Sequence, residues 1–225
     1  MIDRTNVAAL IPSYFEGRRI QDVARRVRAQ LEHVLVVDDG STDATASEAA
    51  AAGVEVIRHE QNAGKGAAIK TGLRALLQRP ALRYILVLDG DGQHLPEEIP
   101  RFIDAANALP TGLYVGNRMT DTRTMPTIRR WTNQSMSWSI SRLCEQPIPD
   151  TQCGYRMISV ELAPALFTES NHYDYETEML VIAARAGHRI GAVPVSTVYG
   201  DEKSKIHPVR DTVRFLRMMR RFRKR

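Results

Sequence analysis

The sequence has few cysteines and no long apolar run. Cys144 and Cys153 are too few for a disulfide framework, and their separation fits no metal-ligand pattern. The longest apolar runs, such as residues 84–88, have the length of a strand, whereas a membrane-spanning helix needs about 20 apolar residues. No basic segment leads into an apolar stretch at the N-terminus, so we predict no signal peptide. These absences predict a cytoplasmic protein with reduced thiols.

Acidic residues are nearly absent from the last stretch of the chain. Residues 209–225 contain eight Arg or Lys and one Asp, so the rest of the chain is almost neutral although the whole carries a formal charge of +5. A near-neutral remainder argues against a basic domain covered by nucleic acid and for a local role of the basic tail. We therefore divide the chain into a folded domain, residues 1–208, and a basic C-terminal tail, residues 209–225.

Apolar residues recur at helical spacing in this tail, flanked by arginines. They are Val209, Val213, Leu216, Met219 and Phe222. Such a helix can lie on an anionic membrane surface, or it can pack on the domain with a frayed basic end. We favour the first interpretation, with contact at the inner face of the cytoplasmic membrane.

Strand-like and helix-like segments alternate through the first two thirds of the chain. Apolar strands are predicted at 6–12, 33–39, 54–59, 83–89 and 112–118, with a helix in each interval. This alternation predicts an α/β fold with a mostly parallel sheet covered on both faces. Further on we expect helices near 128–143, 160–167 and 174–186, and strands at 153–158 and 193–198.

Four of the predicted strands end in polar residues, at 12–14, 38–41, 89–93 and 116–118. Ligands of open parallel sheets bind beyond the carboxyl ends of the strands. In an extended segment Asp89, Asp91 and Gln93 project to one side and present three oxygens to a hard cation such as Mg²⁺ or Mn²⁺. The alternative is an Asp-Gly turn with solvated acids.

Two further segments predict contacts with a ligand. Asp38 and Asp39 close a buried strand, and because the next three residues can cap the following helix, we expect at least one of these acids to be free for a nucleobase or ribose. Lys65, between two glycines at a helix start, can offer a cation and N–H groups to a phosphate, or it can be a solvated surface lysine.

Together these motifs resemble family-2 glycosyltransferases, in particular the dolichyl-phosphate mannose synthase and polyprenyl-phosphate glycosyltransferase branch. The resemblance covers residues 6–205 and is carried by PSYFE at 12–16, VVDDGSTDAT at 36–45, NAGKGAAIKTG at 62–72, VLDGDGQHLPEEI at 87–99, GNR at 116–118 and DTQCGYR at 150–156. It implies a GT-A fold, a GDP- or UDP-sugar donor, a divalent metal and inversion at the anomeric carbon. The implied acceptor is a polyprenyl phosphate; another lipid, a hydroxylated small molecule, or a role as a non-catalytic nucleotide-sugar-binding subunit are alternatives.

The resemblance also implies roles for individual residues. It assigns the nucleoside pocket to Pro12, Tyr14, Glu16, Asp39 and Lys65, and the metal to Asp89, Asp91 and Gln93. It assigns the acceptor and its phosphate to Arg118, Gln152, Lys203, Ser204 and Lys205. It assigns catalysis to Asp91, Arg118 and Glu178; the alternative for Glu178, and for the nearby Glu176, is a charged helix face.

Overall fold

The structure, a computed structural model, describes residues 1–122, 125, 127–198, 215 and 219–222. Seven strands of this part form a single sheet. They are β1 Val7–Ser13, β2 His33–Asp38, β3 Glu55–Arg58, β4 Tyr84–Val87, β5 Leu113–Asn117, β6 Arg156–Ser159 and β7 Ile190–Pro194. The strands predicted from the sequence are confirmed, with ends displaced by a few residues.

Helices follow most of the strands. They are α1 Ile20–Gln30, α2 Thr45–Ala51, α3 Lys65–Leu76, α4 Ile99–Ala108, α5 Thr127–Leu143 and α6 Asp174–Arg185, with short 3-10 turns at Pro96–Glu98, Arg118–Thr120 and Ala163–Leu166. The helix expected over 160–167 is only the last of these turns, because the backbone leaves the helical region at Phe167. None of the described helices is long and apolar enough to cross a membrane.

The strand order explains how distant segments reach one edge of the sheet. The order is β3-β2-β1-β4-β6-β5-β7, and β6 alone runs antiparallel to its neighbours. The expected mostly parallel sheet is therefore confirmed. The carboxyl ends of β1, β2, β4 and β5 meet at one edge, which we call the site edge. Because β6 runs the opposite way, the segment before it, residues 150–155, arrives at the same edge.

The core lies on both faces of the central strands. Every residue of β1 and β4 is buried, as expected for strands covered by helices on both sides. α1 buries Ile20, Val23 and Val27, which helical spacing places on one face. A Cβ at Gly72 would overlap the Leu10 side chain, so this glycine allows α3 to pack closely on β1.

The described residues of the tail pack on the domain. Phe222 is 8% exposed and belongs to the core, while Phe215 and Met219 are partly buried against it. The Arg185 guanidinium donates to the carbonyl of Phe222 and lies 4.9 Å from the centroid of its ring. These contacts support the packed helix, the alternative to the favoured membrane contact. Val209, Val213 and Leu216 lie outside the described residues.

Candidate active site

The loop after β4 is a turn and not an extended segment. β4 ends at Val87, and Gly92 has a φ of +78°, a value that favours glycine. The Asp91 carboxylate accepts a hydrogen bond of 3.0 Å from the N–H of Gln93. The expectation of alternating extended residues is therefore wrong, and the backbone adopts the turn that was its alternative. The turn nevertheless keeps Asp91 close to Asp89, which sets the electrostatics of the loop.

Negative charge accumulates around Asp91. Burial, then the Asp89 carboxylate and the charge of Glu16, raise the pKa of Asp91 to about 6. The carboxylates of Asp89, Asp91 and Glu16 repel one another when they are ionised. This part of the site therefore carries an excess of negative charge. A cation placed here would offset that repulsion.

Lys65 supplies the nearest positive charge. Its Nζ lies 2.6 Å from Asp89 Oδ1 and 3.1 Å from Glu176 Oε1, and its side chain is 15% exposed. Burial favours the neutral amine, but Asp89 and Glu176 outweigh it and hold the pKa of Lys65 above its ordinary value. Burial also opposes the ionisation of Asp89. The positive charge of Lys65 is the main effect in the other direction, and the pKa of Asp89 lies below its ordinary value. Lys65 is therefore a buried ionic link and not a solvated surface lysine.

Two glycines bring Glu176 to Lys65. Gly64 has a φ of +103°, and a Cβ there would overlap the carbonyl oxygen of Asn171. A Cβ at Gly66 would lie 2.7 Å from Tyr175 Cβ. Side chains at these positions would push α3 away from the start of α6, so the glycine spacing that suggested a phosphate loop serves helix packing.

Three N–H groups around the start of α3 already have protein partners. Ala63 and Gly64 donate to the Asp39 carboxylate at 3.0 and 2.8 Å, and Ala67 donates to the Asn171 carbonyl at 3.1 Å. These three N–H groups are therefore not available to a phosphate; a phosphate contact by Lys65 stays a prediction.

Both acids at the end of β2 are engaged within the protein. Asp39 also lies 2.7 Å from His59 Nδ1, and Asp38 is fully buried and accepts from the N–H and the hydroxyl of Ser41. Both acids thus have protein partners, and the expected contact of one of them with a nucleobase or ribose stays a prediction. Asp39 instead fixes the loop that leads into α3.

The end of β1 and the residues after it lie beside the start of α2. Pro12 pairs with Val37 across the sheet, and the Tyr14 ring contacts the Phe15 ring edge to face at 4.5 Å between centroids. The N–H of Glu16 donates to Thr45 Oγ1 at 2.9 Å. Because the charge of Glu16 contributes to the raised pKa of Asp91, the end of β1 and the loop after β4 belong to one site.

A second charged pair lies at the end of β5. The Arg118 Nε and Nη2 atoms donate to the two Asp150 carboxylate oxygens at 2.7 and 2.9 Å. Asp150 is fully buried, and it also accepts from the N–H of Gln152 at 3.1 Å. A bidentate ion pair of this kind fixes the plane of the guanidinium. The structure thus joins Arg118 and Gln152, two predicted acceptor residues, through Asp150.

Gly154 closes the site between these two parts, although the sequence pattern does not mark it. A Cβ at Gly154 would lie 2.6 Å from Asp89 Oδ2, 3.1 Å from Lys65 Nζ and 3.3 Å from Glu176 Oε1. Only glycine leaves room for the three charged groups to meet. What the sequence offered was a glycine inside the strand predicted at 153–158, where glycine often marks a close approach of another group to the backbone.

Glu178 is not part of this cluster. The Glu178 side chain is 2% exposed, accepts from Thr168 Oγ1 at 2.7 Å and pairs with Arg221. Successive helix residues are rotated by about 100°, so Glu176 and Glu178 point to different faces of α6. The structure therefore brings Glu176, and not Glu178, to the site. Residues 203–205 lie outside the described residues; Val198, before them in the chain, donates to the Gln93 carbonyl at 3.0 Å.

The donor set fits a cation that arrives with a phosphate-bearing substrate. Among the described residues, no group of three or more His, Cys, Asp or Glu is arranged to hold a metal ion. Mg²⁺, however, is commonly held by one or two carboxylates together with substrate phosphates and water. Asp89, Asp91 and the half-buried Gln93 supply such a partial set, and their excess negative charge favours a cation.

Comparisons with known proteins place the chain in a family. The model of "Glycosyl transferase family 2" matches residues 8–167. The chain is 31% identical over 204 residues to a polyprenol monophosphomannose synthase of Mycolicibacterium smegmatis, covering 83% of this chain and 75% of that protein. It is 29% identical over 213 residues to the UDP-N-acetylglucosamine–dolichyl-phosphate N-acetylglucosaminyltransferase of Methanococcus voltae, covering 84% of each.

Solved structures show the same fold. Glucosyl-3-phosphoglycerate synthase of Mycobacterium tuberculosis, in complex with UDP, superposes with a TM-score of 0.73 at 18% identity, over 97% of this chain and 80% of that one. A complex of the same enzyme with Mn²⁺, UDP and phosphoglyceric acid has a TM-score of 0.68 at 18% identity, over 95% and 75% of the chains. The expected GT-A fold is thereby confirmed. The chain belongs to glycosyl transferase family 2 and is a glycosyltransferase.

Proposed function

We propose that this enzyme transfers a sugar from a nucleotide-diphosphate donor to a polyprenyl phosphate, with inversion at the anomeric carbon and with Mg²⁺ or Mn²⁺ as cofactor. The observation that carries the proposal is the meeting of an acid-rich loop, Asp89 and Asp91, with a fixed arginine, Arg118, at one sheet edge. The names of the two relatives support a lipid-phosphate acceptor. The UDP and Mn²⁺ in the related solved complex support the donor and the metal.

The donor binds at the ends of β1, β2 and β4. Pro12, Tyr14, Glu16 and Asp39 line the nucleoside pocket, and Asp39 acts through the loop that it fixes before α3. Asp89, Asp91 and Gln93 hold the cation. When bound, the cation neutralises the diphosphate and stabilises charge on the leaving nucleoside diphosphate. Lys65, linked to Asp89 and Glu176, holds the loop after β4 against α6.

The acceptor binds at the end of β5 and the segment before β6. Asp150 orients the guanidinium of Arg118 toward an anionic acceptor, and Gln152 lies beside it. The acceptor phosphate is already ionised at neutral pH, so an oxygen of that phosphate attacks the anomeric carbon without a strong general base. Lys203, Ser204 and Lys205 add phosphate contacts in this proposal. Glu178 has no role in it, because its carboxylate is engaged by Thr168 and Arg221.

A transfer assay tests the proposal. Labelled GDP- and UDP-sugars would be incubated with the enzyme, Mg²⁺ or Mn²⁺, and a short polyprenyl phosphate dispersed in detergent. We expect label in the organic phase only with metal and acceptor present, and NMR of the product should show the inverted anomer. Donors would first be ranked by thermal shift, since a true donor stabilises the fold through binding linkage. Nucleoside diphosphate release that does not depend on the acceptor would contradict the lipid-phosphate acceptor.

A further inference from the structure

The outer face of α5 exposes both tryptophans of the chain. Trp131 is 75% exposed and Trp138 is 63% exposed, whereas large apolar side chains are normally buried. Seven helix positions separate them, which is about two turns, so the two indoles lie on one face. An exposed indole combines a large apolar surface with one polar N–H, the composition that is enriched at membrane–water interfaces.

The charge of α5 complements an anionic surface. Its sequence, TIRRWTNQSMSWSISRL, contains three arginines and no acidic residue. Arg130 and Arg142 are exposed, and the Arg142 guanidinium lies 5.0 Å from the centroid of the Trp138 ring. Basic side chains near interfacial aromatic residues attract anionic lipid headgroups.

The opposite face of α5 is tied to the acceptor part of the site. Ser137 and Ile140 are buried, and the Ser137 hydroxyl lies 3.1 Å from Thr151 Oγ1 and accepts from the N–H of Thr151 at 3.0 Å. Thr151 stands between Asp150 and Gln152, so α5 braces the segment that orients Arg118. A surface bound to the outer face of α5 would therefore lie on the acceptor side of the enzyme.

We propose that the outer face of α5 docks on an anionic phospholipid bilayer. Trp131 and Trp138 enter the headgroup region, and Arg130 and Arg142 pair with lipid phosphates. On the same face between the indoles, Gln134 and Ser135 are polar and exposed. Two separated indoles in a polar and basic face suit a lipid interface better than the apolar centre of a dimer contact. The purpose of this docking rests on the proposed lipid-linked acceptor, but the binding itself is independent of it.

Vesicle binding of the full-length protein tests the docking. The probes are vesicles of phosphatidylcholine alone and of phosphatidylcholine with phosphatidylglycerol. Because both tryptophans of the chain lie on this face, selectively excited tryptophan fluorescence reports on it alone, and we expect a blue shift of the emission with anionic vesicles. In co-sedimentation, the Trp131→Gln/Trp138→Gln double variant should bind on the order of tenfold more weakly, and Arg142→Gln about fivefold more weakly.

Matched controls come from other surfaces of the same chain. Leu109→Gln removes a 52% exposed apolar side chain before β5, at the sheet edge opposite the site, and Arg25→Gln removes an exposed arginine of α1. Both should bind vesicles like the wild type. Circular dichroism and thermal melting would confirm that the variants are folded, as expected for exposed positions.

Three results would overturn the docking. They are equal vesicle binding by the double variant and the wild type, an emission maximum that does not move with anionic vesicles, and a wild-type dimer in solution that the double variant loses. The last result would make this face a contact between copies of the chain. Sugar transfer to a detergent-dispersed acceptor is measured separately. A wild-type protein that transfers sugar but does not bind anionic vesicles would overturn the docking alone, and one that binds the vesicles but transfers no sugar would overturn the proposed function alone.

Discussion

The two flanks of the site edge differ in their balance of charged groups. On the donor flank, the ends of β1, β2 and β4 with the start of α3, Lys65 is shared between Asp89 and Glu176 while Asp91 adds a further negative charge. On the acceptor flank, the end of β5 and the segment before β6, one buried carboxylate, Asp150, holds one arginine, Arg118. The donor flank therefore carries an excess of negative charge, whereas the charges of Asp150 and Arg118 balance on the acceptor flank and the guanidinium is held in a fixed orientation.

The substitution with the largest expected effect is Asp91→Asn on the donor flank. It keeps the shape of the side chain and removes the charge that a cation would neutralise, so we expect transfer to fall on the order of a thousandfold. The free energy of unfolding of the metal-free protein should rise by about 1 kcal/mol at neutral pH, because repulsion from Asp89 and Glu16 is relieved. Transfer assays and chemical denaturation measure the two effects.

The matched control for this variant is Asp104→Asn, at an exposed position of α4. It should change neither activity nor stability, since isolated surface charges contribute little. A less stable Asp91→Asn protein would show that Asp91 is held by favourable contacts and would remove the contrast between the flanks.

The next effect concerns Gly154, where the two flanks touch. In Gly154→Ala the new methyl group would lie 2.6 Å from Asp89 Oδ2, so the carboxylate or the segment before β6 must shift. We expect transfer to fall on the order of a hundredfold, because small displacements of catalytic groups have large effects on rate. Thermal melting would show whether the loss arises in the site or in the fold. Wild-type activity in this variant would indicate that the flanks move independently.

A smaller and more selective effect is expected from Arg118→Lys on the acceptor flank. Lysine keeps the positive charge but cannot form the bidentate ion pair with Asp150. We expect the KM for the lipid phosphate to rise about tenfold, with the KM for the donor unchanged. Arg101→Lys, at a more exposed ion pair with Glu98, is the control and should leave both values unchanged. A rise in the donor KM alone would place Arg118 on the donor flank.

The smallest effect is expected in thiol labelling, which reports on how closed the acceptor flank is. Cys153, beside Gly154, is fully buried, and Cys144 is 7% exposed; burial raises the pKa of both thiols to about 12. Since the thiolate is the reactive form, iodoacetamide at about pH 8 should label neither residue in the folded protein and both after unfolding. Labelling of Cys153 in the native protein, followed by mass spectrometry, would reveal an opening of this flank.

Local patterns in the sequence were sufficient for most of the fold. Period-3.6 spacing in α1, with Ile20, Val23 and Val27 on one face, and the continuous apolar strands predicted the elements and their parallel order. The convergence of strand ends followed from that parallel order. The antiparallel insertion of β6 did not, because the sequence of a strand does not record which neighbours it pairs with.

The residues of the site divide in the same way. Asp89, Asp91, Arg118 and Gln152 were predicted as site residues, and the structure places them at the site edge. The ion pair between Lys65 and Glu176 was not predicted, because it depends on the packing of α3 against α6. The choice between Glu176 and Glu178 was missed for a related reason: both occur in one helix turn, and only the rotation of α6 decides which one faces the site.

The two helices with apolar and basic residues show the same limit. The tail has the stripe expected of a membrane-bound helix, yet its described residues Met219 and Phe222 pack on the domain. α5 was predicted only as a helix, yet it exposes Trp131 and Trp138. A periodic pattern specifies that a helix has an apolar face, but the surface that meets this face is set by distant parts of the chain.

By itself the sequence determined the α/β class, the helices and strands, the family and the loop that carries Asp89 and Asp91. These features depend on local periodicity and on short motifs, which are written in consecutive residues. Tertiary structure alone decided that Gly154 fits between the flanks, that Asp150 holds Arg118 and that Glu176 joins Lys65. Each of these contacts joins residues far apart in the chain, so it exists only after the sheet and its helices have packed.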